Sequence, residues 1–112
     1  MLKKQYIKTR NVVKVTFEVP KTELDEGVKV ESFHLVGEFN EWNPTATPMK
    51  RSKKGTFRAV VELEPNRTYQ FRYLVNGEHW CNEWHADGYT PNGLGTDNCL
   101  VITTEEVTAA SA

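Results

Sequence analysis

The sequence Tyr-Gln-Phe-Arg-Tyr-Leu-Val-Asn-Gly occupies residues 69–77 and predicts the fold of this 112-residue chain. Aromatic or apolar side chains recur at every second position, starting at Tyr69, and the residues between them include Arg72. A period of two places alternate side chains on opposite faces of a β-strand. Asn76-Gly77 then supplies the dipeptide that a tight hairpin turn with positive φ prefers. The stretch therefore predicts a half-buried strand followed by a hairpin.

The same alternation recurs along the chain, in short segments separated by turn residues. Further strands are predicted over 12–19, 30–36, 56–64, 78–81 and 99–103, with at most a short edge segment over 45–50. The inward positions are Val13, Val15, Phe17, Val19, Phe33, Leu35, Phe57, Ala59, Val61, Leu63, Tyr69, Phe71, Tyr73 and Val75. No segment keeps a helical apolar period, so the sequence predicts an all-β antiparallel sandwich.

The length suits one domain with one core. The sequence predicts a flexible lead-in over residues 1–11, one β-sandwich over 12–104, and a flexible tail over 105–112. Residues 82–97 contain four Gly or Pro residues and predict a long irregular loop. Such loops are uncommon in compact domains unless they have a function.

Composition narrows the classes of function. Fourteen basic and fifteen acidic residues give a net charge of -1, which argues against nucleic-acid or membrane-surface binding. No apolar run approaches the ~20 residues of a membrane span. The first residues lack the apolar core of a signal peptide, so the expected compartment is the cytoplasm. In that reducing compartment Cys81 and Cys99 are expected to be free thiols.

Patterns typical of enzymes are absent from the sequence. There is no positioned pair of carboxylates, no nucleophile elbow and no phosphate-binding glycine loop, so we expect no catalysis. His79, Cys81, His85 and Cys99 could form a metal cluster, but metal sites usually show tighter and repeated spacing. A hairpin that happens to contain His and Cys is the favoured interpretation, with no metal.

Three tryptophans fall in or beside loops, at Trp42, Trp80 and Trp84. Any one of them could cover the edge of the core, and that is the commoner role of such a residue. Together with Arg72 on an outward strand face they also suit a sugar, whose ring has an apolar face and a rim of hydroxyls. Trp provides a flat platform with little entropy loss, and Arg donates to two hydroxyls from one rigid plane.

Four stretches together resemble a known family. They are Gly-Glu-Phe-Asn-Glu-Trp at 37–42, residues 69–77, Trp80, and Leu-Gly-Thr-Asp-Asn at 94–98. They resemble the glycogen-binding module of carbohydrate-binding family 48, found in the beta subunit of AMP-activated protein kinase. Related early-set domains precede the catalytic barrel of isoamylase, pullulanase and glycogen branching enzymes. The likeness runs from about Val12 to about Thr103 and implies an immunoglobulin-like, early-set sandwich.

The resemblance also implies a function and a set of site residues. The function is non-catalytic binding of α-1,4-glucans by a stand-alone module, or by one that works beside a glycogen-metabolising enzyme or a kinase-type partner. No cofactor is implied. Carried over by position, two tryptophans stack on glucose rings, a leucine reaches into the curve of the ligand, and polar residues bind hydroxyls. These residues are Trp42, Trp80, Leu94, Arg72, Thr96 and Asn98, with Trp84 and Asn40 as further candidates.

This sequence differs from the family at three residues of the site region. Arg72 stands where the kinase subunit has a lysine, and Glu83-Trp84 stands where an Asp-Pro is usual. The second departure bears on the shape of the loop and adds an aromatic that would extend the site.

An alternative from another class remains open. Trp and Arg are also preferred at the centres of protein interfaces, so the same aromatic patch or a sheet edge suits a protein–protein or regulatory module without sugar binding. An RNA-binding aromatic sheet is a more distant third alternative, because the net charge of the chain is -1.

Overall fold

The computed structural model describes residues 1–24 and 29–104. These residues form nine strands, β1 to β9, and two single-turn 3-10 helices at Lys21–Glu23 and Glu38–Asn40. The strands are β1 Leu2–Ile7, β2 Val12–Val19, β3 Phe33–Gly37, β4 Lys50–Arg51, β5 Phe57–Leu63, β6 Arg67–Val75, β7 His79–Cys81, β8 Gly88–Pro91 and β9 Asp97–Thr103. The predicted all-β class is confirmed.

The strands form two antiparallel sheets packed face to face as an immunoglobulin-like sandwich. The first sheet has the order β1-β2-β5-β4. The second has the order β3-β6-β9-β8, and β7 also pairs with β6. Leu35 and Cys81 both pair with Tyr73, so β3 and β7 lie on opposite edges of β6. The edge that carries β7 is shared with β9, which pairs with the first half of β6.

The core fills the space between the two sheets and contains the predicted inward side chains. Phe17 meets Phe71 edge-on across the sandwich, with ring centroids 5.0 Å apart. Phe33 stacks on Phe57 with a centroid distance of 4.7 Å. All the predicted inward residues are buried except Val61 and Tyr69, which are partly buried and pack against the core. The alternation in the sequence therefore identified the buried face correctly.

The hairpin predicted at Asn76-Gly77 is confirmed by its backbone. Asn76 has φ 54° and Gly77 has φ 72°, the two positive values that this tight turn requires. The Oδ1 atom of Asn76 also accepts hydrogen bonds from the backbone N–H groups of Glu31 and Ser32, at 2.7 and 3.1 Å. The turn residue thereby holds the segment that leads into β3.

Two segments that the sequence analysis treats as irregular contain strands. The expected lead-in over 1–11 includes β1, so the first sheet begins at Leu2. Its alternation is hidden because Lys4 occupies an inward position, where its Nζ forms a 2.5 Å ion pair with Asp87. The predicted loop over 82–97 includes β8, in which Gly88 and Pro91 imitate turn residues. The predicted tail over 105–112 lies outside the described residues.

In the part of the chain that the structure describes, no helix is long and apolar enough to cross a membrane.

Candidate functional site

The loop that carries Trp42 begins where β3 ends and is held by Asn40. Asn40 Oδ1 accepts a 3.0 Å hydrogen bond from Gly37 N–H, and its Nδ2 donates to the Leu35 carbonyl at 2.9 Å and to Thr47 Oγ1 at 3.0 Å. Both amide hydrogens of Asn40 are therefore used inside the protein. This candidate residue shapes the loop and does not line the groove described below.

Trp42 is presented at the surface by an uncommon backbone conformation. Glu41 and Trp42 have φ 59° and 58°, a left-handed region that side chains other than glycine adopt at a cost of about 1–2 kcal/mol. The N–H of Trp42 donates to the Gly37 carbonyl at 2.9 Å and closes the loop. The side chain remains 37% exposed, so a substantial part of the indole is available to a ligand.

A second group of site residues lies on the outer face of the second sheet. Arg72 on β6 and Asn98 on β9 alternate with buried neighbours and so point away from the core. Trp80 on β7 is the cross-strand partner of Leu74 and points to the same face. The Arg72 guanidinium lies 5.9 Å from the centroid of the Trp80 ring, a cation–π arrangement, and Trp80 is 46% exposed.

The third component is the hairpin between β8 and β9, whose tip is Leu94. Asn92 N–H donates to the Thr96 carbonyl at 3.1 Å, and Asn92 Oδ1 accepts from Leu94 N–H at 2.9 Å. Gly93 and Gly95 flank the tip with φ 79° and 83°. Leu94 at this tip is 84% exposed.

These three components form one open groove of about 320 Å³. It is lined by Trp42, Arg72, Trp80, Asn92, Leu94 and Asn98. Five of the six principal residues expected from the resemblance therefore meet in one place. Thr96, the sixth, adjoins the groove through hydrogen bonds to Arg72 and Asn92.

A hydrogen-bond network holds the Arg72 guanidinium in the groove. Its Nε donates to Asn82 Oδ1 at 2.7 Å, and its Nη1 makes a longer 3.5 Å contact with Thr96 Oγ1. Asn82 is itself held, because its Nδ2 donates to the Asp97 carbonyl at 2.9 Å. Within residues 1–24 and 29–104 no carboxylate pairs with Arg72, so Nη2 keeps its donors for a ligand.

The polar rim beside Arg72 is fixed in the same way. Asn92 Nδ2 donates to Thr96 Oγ1 at 2.7 Å and to Asn98 Oδ1 at 3.2 Å. Asn98 Nδ2 donates to Gln70 Oε1 at 2.9 Å. Thr96 Oγ1 acts as an acceptor in these contacts, so its own hydroxyl hydrogen remains free to donate. The groove thus combines two exposed indole rings with a pre-organised rim rich in donors.

Trp84 lies outside this group. It is 63% exposed and does not line the groove. Its neighbour Glu83 is buried, and Glu83 Oε1 accepts a 2.9 Å hydrogen bond from Tyr73 Oη and an ion pair from the Met1 ammonium. Burial first, and the adjacent Glu83 carboxylate second, raise the pKa of Tyr73 well above its ordinary 10.0. Glu83 thus anchors the loop to the core, while Trp84 projects from it.

The structure gives no support to a metal site in the part of the chain that it describes. No group of three or more His, Cys, Asp or Glu residues is placed to hold a metal ion there. Cys81 and Cys99 are free thiols, and burial raises the pKa of each from the ordinary 9.0 to about 11. Since the thiolate is the reactive form, these cysteines are poor nucleophiles near neutral pH.

Three residues that line or support the groove are not among the site residues that the resemblance implied. Asn92 lines the groove, Asn82 orients Arg72, and Gln70 holds Asn98. Gln70 could have been found from the sequence, because it shares the outward face of β6 with Arg72. Asn82 and Asn92 do resemble residues of the loop that precedes the last strand in bacterial members of the family, but the resemblance gives neither of them a role at the site.

One of the comparisons with known proteins identifies a family. A family model described as the glycogen recognition site of AMP-activated protein kinase matches residues 25–107, which is well over half of the chain. The comparison with curated proteins finds no match.

Proposed function

The chain belongs to the family of the glycogen recognition site of AMP-activated protein kinase, a carbohydrate-binding module family, and we propose that it binds α-1,4-linked glucans through the Trp42–Trp80 groove. Modules of this kind are generally non-catalytic, and we propose that this one acts by binding alone. A glycogen-metabolising enzyme or a kinase-type protein is the partner that such a module would bring to its glucan.

One observation carries the proposal: two partly exposed indole rings lie in the same groove as a cation and a fixed polar rim. A glucose ring has an apolar face of C–H groups and an equatorial rim of hydroxyls. A ligand that covers an indole face while its rim meets N–H donors satisfies both parts of the groove. A purely apolar ligand would leave the donors of Arg72 and Asn98 without partners, which is unfavourable when they are desolvated.

Each groove residue has a role in this proposal. Trp42 and Trp80 stack on glucose rings, and Leu94 packs against the apolar surface of the curved chain. Arg72, Thr96 and Asn98 hydrogen-bond to hydroxyls. Each stacked ring should contribute about 0.5–1.5 kcal/mol beyond its buried area. We expect a dissociation constant of roughly 10–100 μM for an oligosaccharide, with retention on polymeric glucan aided by multivalency.

Titration with maltoheptaose, followed by calorimetry and by intrinsic tryptophan fluorescence, tests the proposal. Trp42→Ala and Trp80→Ala should each weaken binding roughly tenfold or more, since each removes one platform. Trp84→Ala is the matched control, because it removes an exposed indole outside the groove and should leave the affinity unchanged.

The alternative of a protein-docking module makes a different prediction. If the folded wild-type protein shows no binding at millimolar maltoheptaose, the groove is not a glucan site. Equal affinities for wild type and Trp42→Ala would also contradict the proposal.

A further inference from the structure

The outer face of the first sheet is basic, and it lies on the side of the sandwich opposite the glucan groove. Side chains that alternate with the buried ones on β1, β2, β4 and β5 point outward there. We call this surface the basic face. Its charged residues are Lys3, Lys14, Lys50, Arg58, Glu18 and Glu62.

The two carboxylates of the basic face are already paired with cations. Lys3 Nζ lies 2.9 Å from Glu18 Oε1, and Arg10 Nη2 lies 2.5 Å from Glu62 Oε2. Neither carboxylate forms an ion pair with Arg58 or Lys14, although Glu18 is the direct cross-strand neighbour of Arg58 and Glu62 is that of Lys14. The acidic residues of this face therefore leave its central cations without a partner.

Three cations of the basic face have no ion pair with any described residue: Lys14, Lys50 and Arg58. Lys50 and Arg58 are also directly opposite each other in the β4–β5 register. Like charges at opposed positions destabilise a sheet. The whole chain has a net charge of -1, so the unpaired positive charge of this face does not reflect an excess of basic residues in the protein as a whole.

The surface also has a shape that suits a polypeptide ligand. A depression of about 520 Å³ is lined by Lys50 and Arg58 together with apolar Pro48 and Val60, and Val60 is 45% exposed. A second depression of about 270 Å³ is polar and is lined by Lys14 and again by Arg58. Arg58 thus lines both depressions, the one that contains apolar side chains and the polar one.

We propose that the basic face docks an acidic polypeptide segment, with an apolar side chain in the hollow at Val60 and carboxylates on Lys14, Lys50 and Arg58. A nucleic acid suits this surface less well, because Glu18 and Glu62 would repel a continuous phosphate backbone. Carboxylates on a flexible peptide can instead be spaced to match the three free cations. The docking site goes beyond the proposed glucan binding and does not depend on it. Because the two faces are opposed, an acidic partner can remain docked while the groove holds glucan.

The test uses the intact chain and a labelled synthetic peptide with Asp and Glu residues around one central Leu. Binding is followed by fluorescence anisotropy at low and near-physiological ionic strength. The matched peptide has Asn and Gln in place of the acids. Arg58→Glu and Lys50→Glu probe the basic face, and Lys29→Glu is the control, because it makes the same change in net charge at an exposed site near Asn76.

We expect the acidic peptide to bind, the amide peptide not to bind, and added salt to weaken binding. Arg58→Glu and Lys50→Glu should each reduce the affinity about fivefold or more, while Lys29→Glu stays close to wild type. All three variants should keep the circular dichroism spectrum and the thermal unfolding midpoint of the wild type, which shows that they are folded. Absence of peptide binding, or an equal loss in Lys29→Glu, would overturn the proposal. Tighter binding of a single-stranded oligonucleotide that competes for Arg58 would overturn the assignment of the partner.

Discussion

Removing Asn82 should weaken glucan binding although Asn82 does not line the groove. Its Oδ1 accepts from Arg72 Nε at 2.7 Å, and its Nδ2 donates to the Asp97 carbonyl at 2.9 Å. Asn82→Ala removes both contacts and leaves the Arg72 guanidinium with the longer Thr96 contact and the Trp80 ring. Arg72 then samples more rotamers in the free protein, and these must be restricted when the sugar binds.

The size of the effect follows from that loss of order. Immobilising one side chain that has many rotamers at an interface costs about 0.5–1.5 kcal/mol. Asn82→Ala should therefore weaken maltoheptaose binding roughly two- to tenfold. The free energy of unfolding should also fall by about 1–2 kcal/mol, which is at the lower end of the range for a hydrogen bond to a charged group. The loss is this small because Arg72 is only partly buried, so water can replace Asn82 as its acceptor.

A double-mutant cycle separates positioning of Arg72 from a general structural effect. Calorimetric affinities are measured for wild type, Asn82→Ala, Arg72→Ala and the double variant. If Asn82 acts through Arg72, its substitution has little effect once Arg72 is gone. Asn82→Asp, which keeps the acceptor for Arg72 Nε, should recover part of the affinity. An equal loss from Asn82→Ala in both backgrounds would refute the reasoning.

Two further predictions concern stability. A Cβ at Gly37 would lie 2.7 Å from the Gln70 carbonyl oxygen, so Gly37→Ala should reduce the free energy of unfolding in urea titrations by about 3 kcal/mol, the upper end of the usual cost of overpacking. Gly77→Ala, which meets no atom within 4 Å, should cost only about 1–2 kcal/mol from its positive φ, and an equal or larger loss there would contradict the steric argument. Burial raises the pKa of the Cys81 and Cys99 thiols from 9.0 to about 11, so the unfolded chain releases protons that the folded chain keeps. The free energy of unfolding should therefore fall as pH rises from 9.0 to about 11, and a variant with Ala at both positions should show a shallower fall.

The two proposed sites lie on opposite faces of the sandwich. The groove is built from loops and outward side chains of the second sheet, whereas the basic face belongs to the first sheet. The packed core separates them, so a ligand on one side leaves the other accessible. If both proposals hold, a module with this layout would hold an acidic partner on a glucan.

Much of the fold followed from local pattern. Strands β2, β5 and β6 were predictable because alternation of buried and exposed side chains is a property of neighbouring residues. Strand β1 escaped prediction because Lys4 occupies an inward position, and the residue that neutralises it, Asp87, is distant in the sequence. Strand β8 was not predicted because Gly88 is as typical of a turn as of a strand. Only its pairing with Leu100 on β9 shows that it lies in a strand.

The site divides in the same way between sequence and tertiary structure. The sequence by itself indicated that tryptophans in or beside loops accompany an arginine on an outward strand face. The motifs around Trp42, Trp80 and Leu94 indicated the family. Only the tertiary structure decided that these residues share a groove and that Trp84 stands apart. It also revealed that Asn40 supports the loop and that Asn82 orients Arg72. The physical reason is that the groove joins three distant segments, and their separation is set by strand register and loop closure, which no local pattern encodes.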